Sequence, residues 1–204
     1  MARHGARAVI AAGAVALTLA TTTGCGPAPW DEQRTPPAPS PTGSAVPAPV
    51  PNDLSSGSTQ RELTAGAVTA TIDYWSSLSM DRWTAAALKP LSLSMSTTVT
   101  PDDGQKVFLQ RATMVAVPGN ATTTFAALAS QSDQATVAPG YLVLSPYSYS
   151  QTFTVGEVPP ETTVVTIQFT YDFLVQTTPT SSEYAKQTAS DILTVAIASA
   201  AASS

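Results

Sequence analysis

From residue 61 to residue 204, apolar and polar side chains alternate along much of the chain with the period of two that is typical of half-buried β-strands. The alternation is clearest over Val165–Gln176, where only Leu174 falls out of pattern. It recurs over Val68–Tyr74 and Leu91–Ser96. Three further strands are predicted from shorter runs of the same kind, at Val107–Val117, Tyr141–Ser145 and Tyr147–Val155. The pattern therefore predicts a protein built from β-sheets.

Two clusters of turn-forming residues separate predicted strands. The first, Pro101-Asp102-Asp103-Gly104, has Pro and Asp where turns favour them and Gly where the left-handed backbone conformation falls. It is predicted to join the strand at Leu91 to the strand at Val107. The second cluster, Pro179–Ser182, precedes the last predicted element. The intervening segment Thr122–Ser132 fits either a loop or a short helix.

The last element, Tyr184–Ala198, is predicted to be a strand whose Leu193, Val195 and Ile197 point inward. The Ala-rich run Ser190–Ala202 has good helical propensity, so a helix is the alternative for this part of the chain.

Short antiparallel strands at this spacing predict an all-β fold, an antiparallel two-sheet sandwich of immunoglobulin-like or fibronectin-like kind with about seven strands. A barrel is the alternative architecture. The chain lacks the pair of cysteines that joins the two sheets of antibody domains. The prediction therefore concerns architecture and does not identify a domain family.

The first 25 residues carry a different signal. Arg3, His4 and Arg7 precede an uncharged, mostly apolar stretch over Ala8–Ala20, which has the layout of a secretory signal peptide. The stretch is shorter than the roughly 20 residues that a permanent membrane-spanning helix needs. A signal peptide over residues 1–24 is therefore predicted.

The run Thr22-Thr23-Gly24-Cys25 at the end of this segment resembles the lipobox of bacterial lipoproteins. The resemblance implies that Cys25 carries a covalent diacylglycerol and becomes the mature N-terminus on the outer face of the bacterial cell membrane. An incidental thiol at Cys25, with cleavage after Ala20, is the alternative. Cys25 is the only cysteine, so no disulfide within the chain competes with lipidation.

Residues 25–60 hold nine of the 17 prolines, together with Ala, Ser, Gly and Thr and few large apolar side chains. Such a composition cannot bury enough surface to fold. We predict a lipid-anchored, disordered linker over 25–60 that holds a β-sandwich domain over 61–204 away from the membrane.

Charged residues make up only 11% of the chain, whereas Thr and Ser number 30 and 22. Hydroxyl side chains must therefore supply much of the polar surface. The net charge is −5 and no cluster of Lys and Arg occurs, so binding to nucleic acid or to anionic lipid headgroups is disfavoured.

The absence of two residue types excludes several kinds of catalysis. The only histidine, His4, lies in the predicted signal peptide, and the only cysteine is the predicted lipid acceptor. Histidine bases, Cys-His catalysis and Cys/His zinc sites are therefore excluded from the mature domain. No metal and no cofactor other than the lipid on Cys25 is expected.

Carboxylate chemistry remains open, since two acids suffice for glycoside hydrolysis. Asp102 and Asp103 are interpreted as turn residues, and Glu157 and Glu161 as solvated loop residues. Asp172 interrupts the best predicted strand, and a cross-strand partner is its simplest explanation. The candidate partners are Lys186 and Arg111.

Aromatic residues concentrate between positions 141 and 155. With a period of two, Tyr147, Tyr149, Phe153 and Val155 share one face, which suits core packing with the phenol groups at the rim. Tyr141, Tyr147 and Tyr149 are alternatively candidates for a binding surface that stacks on a sugar or contacts a protein.

These observations favour an extracytoplasmic, surface-tethered and non-enzymatic β-sandwich that binds a protein or glycan partner in the cell envelope. An enzyme acting on polysaccharide through carboxylates alone is one alternative. A passive structural spacer is another.

Overall fold

The structure is a computed structural model, and it describes residues 50–199 of the chain. The predicted signal peptide, Cys25 and the predicted linker as far as residue 49 lie outside the described residues. The described range contains nine β-strands and one short 3-10 helix, Met80–Arg82. The strands are β1 (Ser58–Ala65), β2 (Val68–Trp75), β3 (Lys89–Val99), β4 (Val107–Gly119), β5 (Gln131–Gln134), β6 (Tyr141–Leu142), β7 (Tyr149–Val155), β8 (Val164–Gln176) and β9 (Tyr184–Ala196).

The strands form two antiparallel sheets packed face to face. One sheet has four strands in the order β1-β2-β3-β7, and the other has five, in the order β5-β4-β8-β9 with β6 paired to β4. The chain passes between the sheets after β3, after β6 and after β7. The predicted all-β sandwich is therefore confirmed, with nine strands in the described range where about seven were predicted.

Strand β8 lies in the middle of the five-stranded sheet and shows why the alternation was so clear. Its inner face packs against the opposite sheet and is almost fully buried. The buried inner-face residues are Val165, Ile167, Phe169, Tyr171, Phe173 and Val175. Leu174, the residue out of pattern, lies half-buried on the outer face. Burying one large apolar side chain stabilises the fold by about 1.5–3 kcal/mol, so this inner face is the main contribution of β8 to stability.

The folded part of the chain begins before Arg61. Leu54 has no exposed surface, and the Asp53 amide donates a hydrogen bond to the Thr194 carbonyl at 2.8 Å. Strand β1 begins at Ser58. The last residues of the segment assigned to the linker therefore belong to the sandwich. A single leucine among polar residues produces no alternation by which the sequence could indicate this.

Three elements can be compared directly with their predictions. The C-terminal element is the strand β9, paired with β8 from Tyr184 to Ala196, and not the alternative helix. The segment Thr122–Ser132 contains no helix and leads into β5. The strand predicted over Tyr141–Ser145 is limited to the two residues of β6.

The predicted turn joins β3 to β4. Gly104 adopts a φ of 90°, in the region that favours glycine, and its amide donates to the Asp102 carboxylate at 3.0 Å. Both acids lie in the turn, as the sequence predicted for Asp102 and Asp103, and the Asp102 carboxylate serves its backbone geometry.

Lys89 is fully buried where β3 begins. Its ammonium group donates to the backbone carbonyls of Thr84, Ala87 and Gly156 at 3.2, 2.6 and 2.8 Å. Burial lowers the pKa of Lys89. The side chain ties the loop before β3 to the end of β7.

Candidate functional site

The candidate site lies where the edge strand of one sheet approaches the edge strand of the other, β5 beside β7. Three elements each contribute one residue: β5 contributes Asp133, β6 contributes Tyr141 and β7 contributes Tyr149. Gln131 of β5 lies two residues before Asp133. We call these four residues the tyrosine seam.

One carboxylate orients both tyrosines. The Tyr149 hydroxyl donates to one oxygen of Asp133 at 2.7 Å, and the Tyr141 hydroxyl donates to the other at 3.3 Å. The two ring centroids are 5.3 Å apart, with the ring planes inclined at 32°. Because both rings are held by the same carboxylate, the aromatic surface of the seam is fixed before any ligand arrives.

Both phenols remain protonated at neutral pH. Burial raises the pKa of Tyr149, and the hydrogen bond to Asp133 and the charge of its carboxylate raise it further. Burial and then the charge of Asp133 also raise the pKa of Tyr141. A phenol that stays protonated keeps donating to the carboxylate, so the seam is electrostatically stable across the physiological pH range.

Gln131 links the two sheets beside the tyrosines. Its amide nitrogen donates to the Thr154 carbonyl at 2.6 Å, and its amide oxygen accepts from the Thr154 amide at 3.1 Å. The side chain thus pairs with β7 as a neighbouring strand would.

An open groove of about 370 Å³ runs along this junction. It is lined by Gln131, Ser132, Asp133, Gln151, Thr152 and Phe153. Amides, hydroxyls and a carboxylate offer hydrogen bonds along the groove, and the partly exposed Tyr141 is linked to it through the hydrogen bond of its hydroxyl to Asp133. A polar molecule with a flat apolar face would find complementary groups here.

The structure brings together two of the three tyrosines that the sequence singled out. Tyr149 is buried and Tyr141 is 37% exposed, and they meet at Asp133. Tyr147 precedes β7, is 58% exposed, and has no described ring contact with the other two. Tyr149 therefore shares the buried face of β7 with Phe153 and Val155, whereas Tyr147 does not.

Sequence reasoning did not find Asp133 and Gln131. Both lie on β5, whose sequence Gln-Ser-Asp-Gln contains no apolar residue, so no alternation could indicate a strand. Their role depends on the approach of β5 to β7, which spacing along the chain does not determine.

Asp172 has the cross-strand partners that the sequence predicted. On the outer face of β8 its carboxylate accepts hydrogen bonds from Arg111 and Thr188, both at 2.8 Å, and forms an ion pair with Lys186 at 3.2 Å. Burial by itself would raise the pKa of Asp172, but these three donors outweigh burial and hold the pKa below its ordinary value. Asp172 is therefore a charged, well-paired group at neutral pH.

Glu157 and Glu161 both line another cavity, of about 540 Å³, next to the C-terminal end of the described chain. Its lining is mostly small and apolar, with Val158, Pro160 and Ile197 among its residues. Both glutamates are exposed. The two loop acids that the sequence interpreted as solvated thus share one concave surface.

Residues 50–199 contain no cluster of three or more acidic, histidine or cysteine side chains that could hold a metal ion. Over the same range, no helix is long and apolar enough to cross a membrane. No protein-family model matches the chain, and a search among curated proteins found no match. Inference about function therefore depends on the residues themselves.

Proposed function

We propose that the chain is a bacterial envelope lipoprotein, and that its β-sandwich is a non-enzymatic module that binds a glycan at the tyrosine seam. The observation that carries this proposal is the pair of tyrosines fixed by Asp133 beside a polar groove. The lipid on Cys25 and the Pro-rich linker would hold the module at the outer face of the cell membrane.

A glycan suits the seam because sugars combine flat apolar faces with many hydroxyl groups. The exposed part of the Tyr141 ring can pack against such a face, and the amides and carboxylate of the groove can bind hydroxyls. Gln131 and Asp133 are already held by hydrogen bonds within the protein. Little conformational entropy would therefore be lost when a ligand binds.

A protein partner is less well supported by the described surface. The fully buried part of a protein interface is usually rich in aromatic and other large apolar residues. The exposed large aliphatic residues of the described chain lie on separate elements, namely Val50, Leu88, Val137 and Ile192.

The anchor is tested in intact cells by comparing the wild type with Cys25→Ser. We expect the wild type in the membrane fraction, and the variant either released or still carrying its signal peptide. Chemical cross-linking before fractionation, followed by mass spectrometry, would reveal a protein partner in the same experiment. Wild-type protein found free of the membrane would overturn the lipoprotein assignment.

Glycan binding is tested by NMR titration of the full-length protein, purified in a nonionic detergent, with cellotetraose and with the tetrasaccharide of N-acetylglucosamine. We expect saturable shifts at residues 131–133 and 151–153 with at least one of the two. Tyr141→Ala should weaken binding about three- to tenfold, because stacking on an aromatic ring contributes about 0.5–1.5 kcal/mol.

Tyr141→Phe is the matched control, since it keeps the ring and loses only the bond to Asp133. It should bind nearly as well as the wild type. If neither tetrasaccharide causes saturable shifts, the glycan proposal fails. A reproducible cross-linked protein would then point to a protein partner, and its absence to a passive spacer.

The second candidate function is polysaccharide hydrolysis, which is favoured by one specific observation: Glu157 and Glu161 line the same cavity. Paired carboxyl groups can serve as acid and as nucleophile or base. Release of reducing ends from envelope polysaccharide, abolished by both Glu157→Gln and Glu161→Gln but retained by Asp102→Asn, would support this function over binding alone.

A further inference from the structure

Strands β4, β8 and β9 bring two cations to one carboxylate on the outer face of the five-stranded sheet. Arg111 and Lys186, from the strands on either side, both contact Asp172. Asp172 is only 4% exposed, whereas the side chains of Arg111 and Lys186 are 46% and 52% exposed. The negative charge is therefore buried beneath the sheet surface, and the positive charges remain open to solvent.

The charges at this place do not cancel. Two cations share one carboxylate, and Asp172 is the only acid at the outward-facing strand positions of β4, β5, β8 and β9 within the described residues. The neighbouring outer-face residues on these strands are neutral: Thr113, Gln168, Thr170, Thr188 and Ser190. This part of the outer face is therefore locally positive, although the net charge of the chain is −5.

A cavity of about 430 Å³ lies on the same sheet, lined not by the two cations themselves but by their cross-strand neighbours. Leu174, opposite Lys186, and Gln134, opposite Arg111, both line it. Tyr184 and Gln110 also belong to its lining. The cavity therefore has an aromatic ring and two amides in its lining, and two of its lining residues are paired across the strands with the two cations.

The aromatic ring is held in place. Tyr184 packs edge-to-face against Phe108, with ring centroids 5.8 Å apart and an interplanar angle of 81°. The ion pairs with Asp172 restrain the two cations as well. Groups that are already restrained lose little entropy when they bind a ligand.

We infer that this outer face carries a second binding site, which takes a sugar or polyol bearing an oxyanion, either a carboxylate or a phosphate. Arg111 and Lys186 would bind the oxyanion, since each has N–H groups beyond those that contact Asp172. Tyr184 would contact the sugar face, and Gln110 and Gln134 its hydroxyls.

This site is independent of the proposed function at the tyrosine seam. The seam presents the carboxylate of Asp133, which disfavours an anionic ligand, whereas the outer face presents net positive charge. The two sites therefore differ in the charge of the ligand that each accepts, and either can fail without the other.

The test is isothermal titration calorimetry on the full-length protein in nonionic detergent, with three probes. Trigalacturonate carries carboxylates, glucose 6-phosphate carries a phosphate, and maltotriose is the neutral control. We expect saturable binding of at least one anion, weakened by added salt, and binding of maltotriose at least about fivefold weaker.

Lys186→Gln should weaken anion binding about fivefold, because one partly exposed charge-assisted hydrogen bond is lost. The variant leaves the bond between Arg111 and Asp172 in place, and its melting temperature checks that the sheet is intact. Arg82→Gln, which removes an exposed charge outside the five-stranded sheet, and Tyr141→Ala at the seam should bind like the wild type.

Binding of trigalacturonate alone would identify carboxylates as the ligand chemistry, and binding of glucose 6-phosphate alone would identify phosphates. Failure of both anions to bind saturably would overturn the inference. Equal weakening by Lys186→Gln and Arg82→Gln would overturn it as well, since attraction to the whole protein would then account for the binding.

Discussion

The two lateral sides of the sandwich are closed by different chemistry, although each uses an aspartate. On one side, where β1 faces β9, Asp53 accepts a hydrogen bond from Arg61 at 2.8 Å and another from the Thr194 amide at 2.7 Å. Leu54 is fully buried next to it. We call Asp53, Leu54 and Arg61 the charged side.

On the opposite side, Asp133 accepts only from the phenols of Tyr141 and Tyr149 among its described side-chain partners. The charged side is filled by the chain itself, because residues 53 and 54 occupy the space along β9. The tyrosine seam keeps an open groove. A sandwich edge that is covered by a chain segment therefore offers no binding surface, whereas an edge that is closed by side chains alone keeps one.

The largest expected effect is at the charged side, with Leu54→Ala. Removing a fully buried leucine side chain should lower the free energy of unfolding by about 2–5 kcal/mol. Urea unfolding followed by circular dichroism measures this. Val50→Ala, at a position 40% exposed, is the control and should cost less than about 0.5 kcal/mol. A loss below 1 kcal/mol for Leu54→Ala would mean that this segment merely lies on the sandwich.

A second prediction concerns alkaline pH and distinguishes the seam from the charged side. Burial raises the pKa values of Tyr149, Tyr74 and Tyr171 above the ordinary value of 10.0. Above that pH the unfolded chain loses phenolic protons that the folded chain keeps. Stability is therefore fully present below pH 10 and decreases as the pH rises further, by about 1.4 kcal/mol per pH unit for each such tyrosine.

Tyr149→Phe should reduce this alkaline slope by about 1.4 kcal/mol per pH unit, because one of the three phenols is gone. Arg61→Gln, on the charged side, should keep the wild-type slope. Lys89 has the opposite effect on the pH dependence of stability. Burial lowers its pKa in the folded chain, so stability rises with pH until the ordinary pKa of 10.5 is reached, and this effect then ends. Denaturant unfolding at several values between pH 9 and 11.5 measures the slopes. Identical slopes for wild type and Tyr149→Phe would contradict the assignment of Tyr149.

The sequence could predict those strands that bury apolar side chains along one face and expose polar side chains along the other. Strand β8 buries a full row of apolar residues against the other sheet, so apolar and polar residues alternate clearly along its sequence. Strands β1 and β5 lie at sheet edges and carry few apolar side chains or none, so the alternation failed there. These edge strands are held mainly by backbone hydrogen bonds to a neighbouring strand. Backbone hydrogen bonds do not depend on residue type, so they leave no pattern in the sequence.

The same reason limited the prediction of the candidate site. Tyr141 and Tyr149 were singled out because aromatic residues stand out in a polar sequence. Asp133, which orients them, was not, because its role arises only when β5, β6 and β7 come together. Asp172 was easier to interpret, since an acid inside an apolar strand needs a cation on a neighbouring strand, and Arg111 and Lys186 are both there.

The smallest expected effect is the loss of the ion pair at the charged side, through Arg61→Gln. The side chains of Arg61 and Asp53 are 37% and 30% exposed, and pairs this exposed contribute at most about 1 kcal/mol. Within the described residues, the Arg61 Nε is also buried without a hydrogen-bond partner, so its removal relieves a desolvation cost. Asp53 keeps its bond to the Thr194 amide. The free energy of unfolding should therefore fall by less than about 1 kcal/mol, measured in urea beside Leu54→Ala. A loss as large as that of Leu54→Ala would show that charge, and not the buried leucine, closes this side.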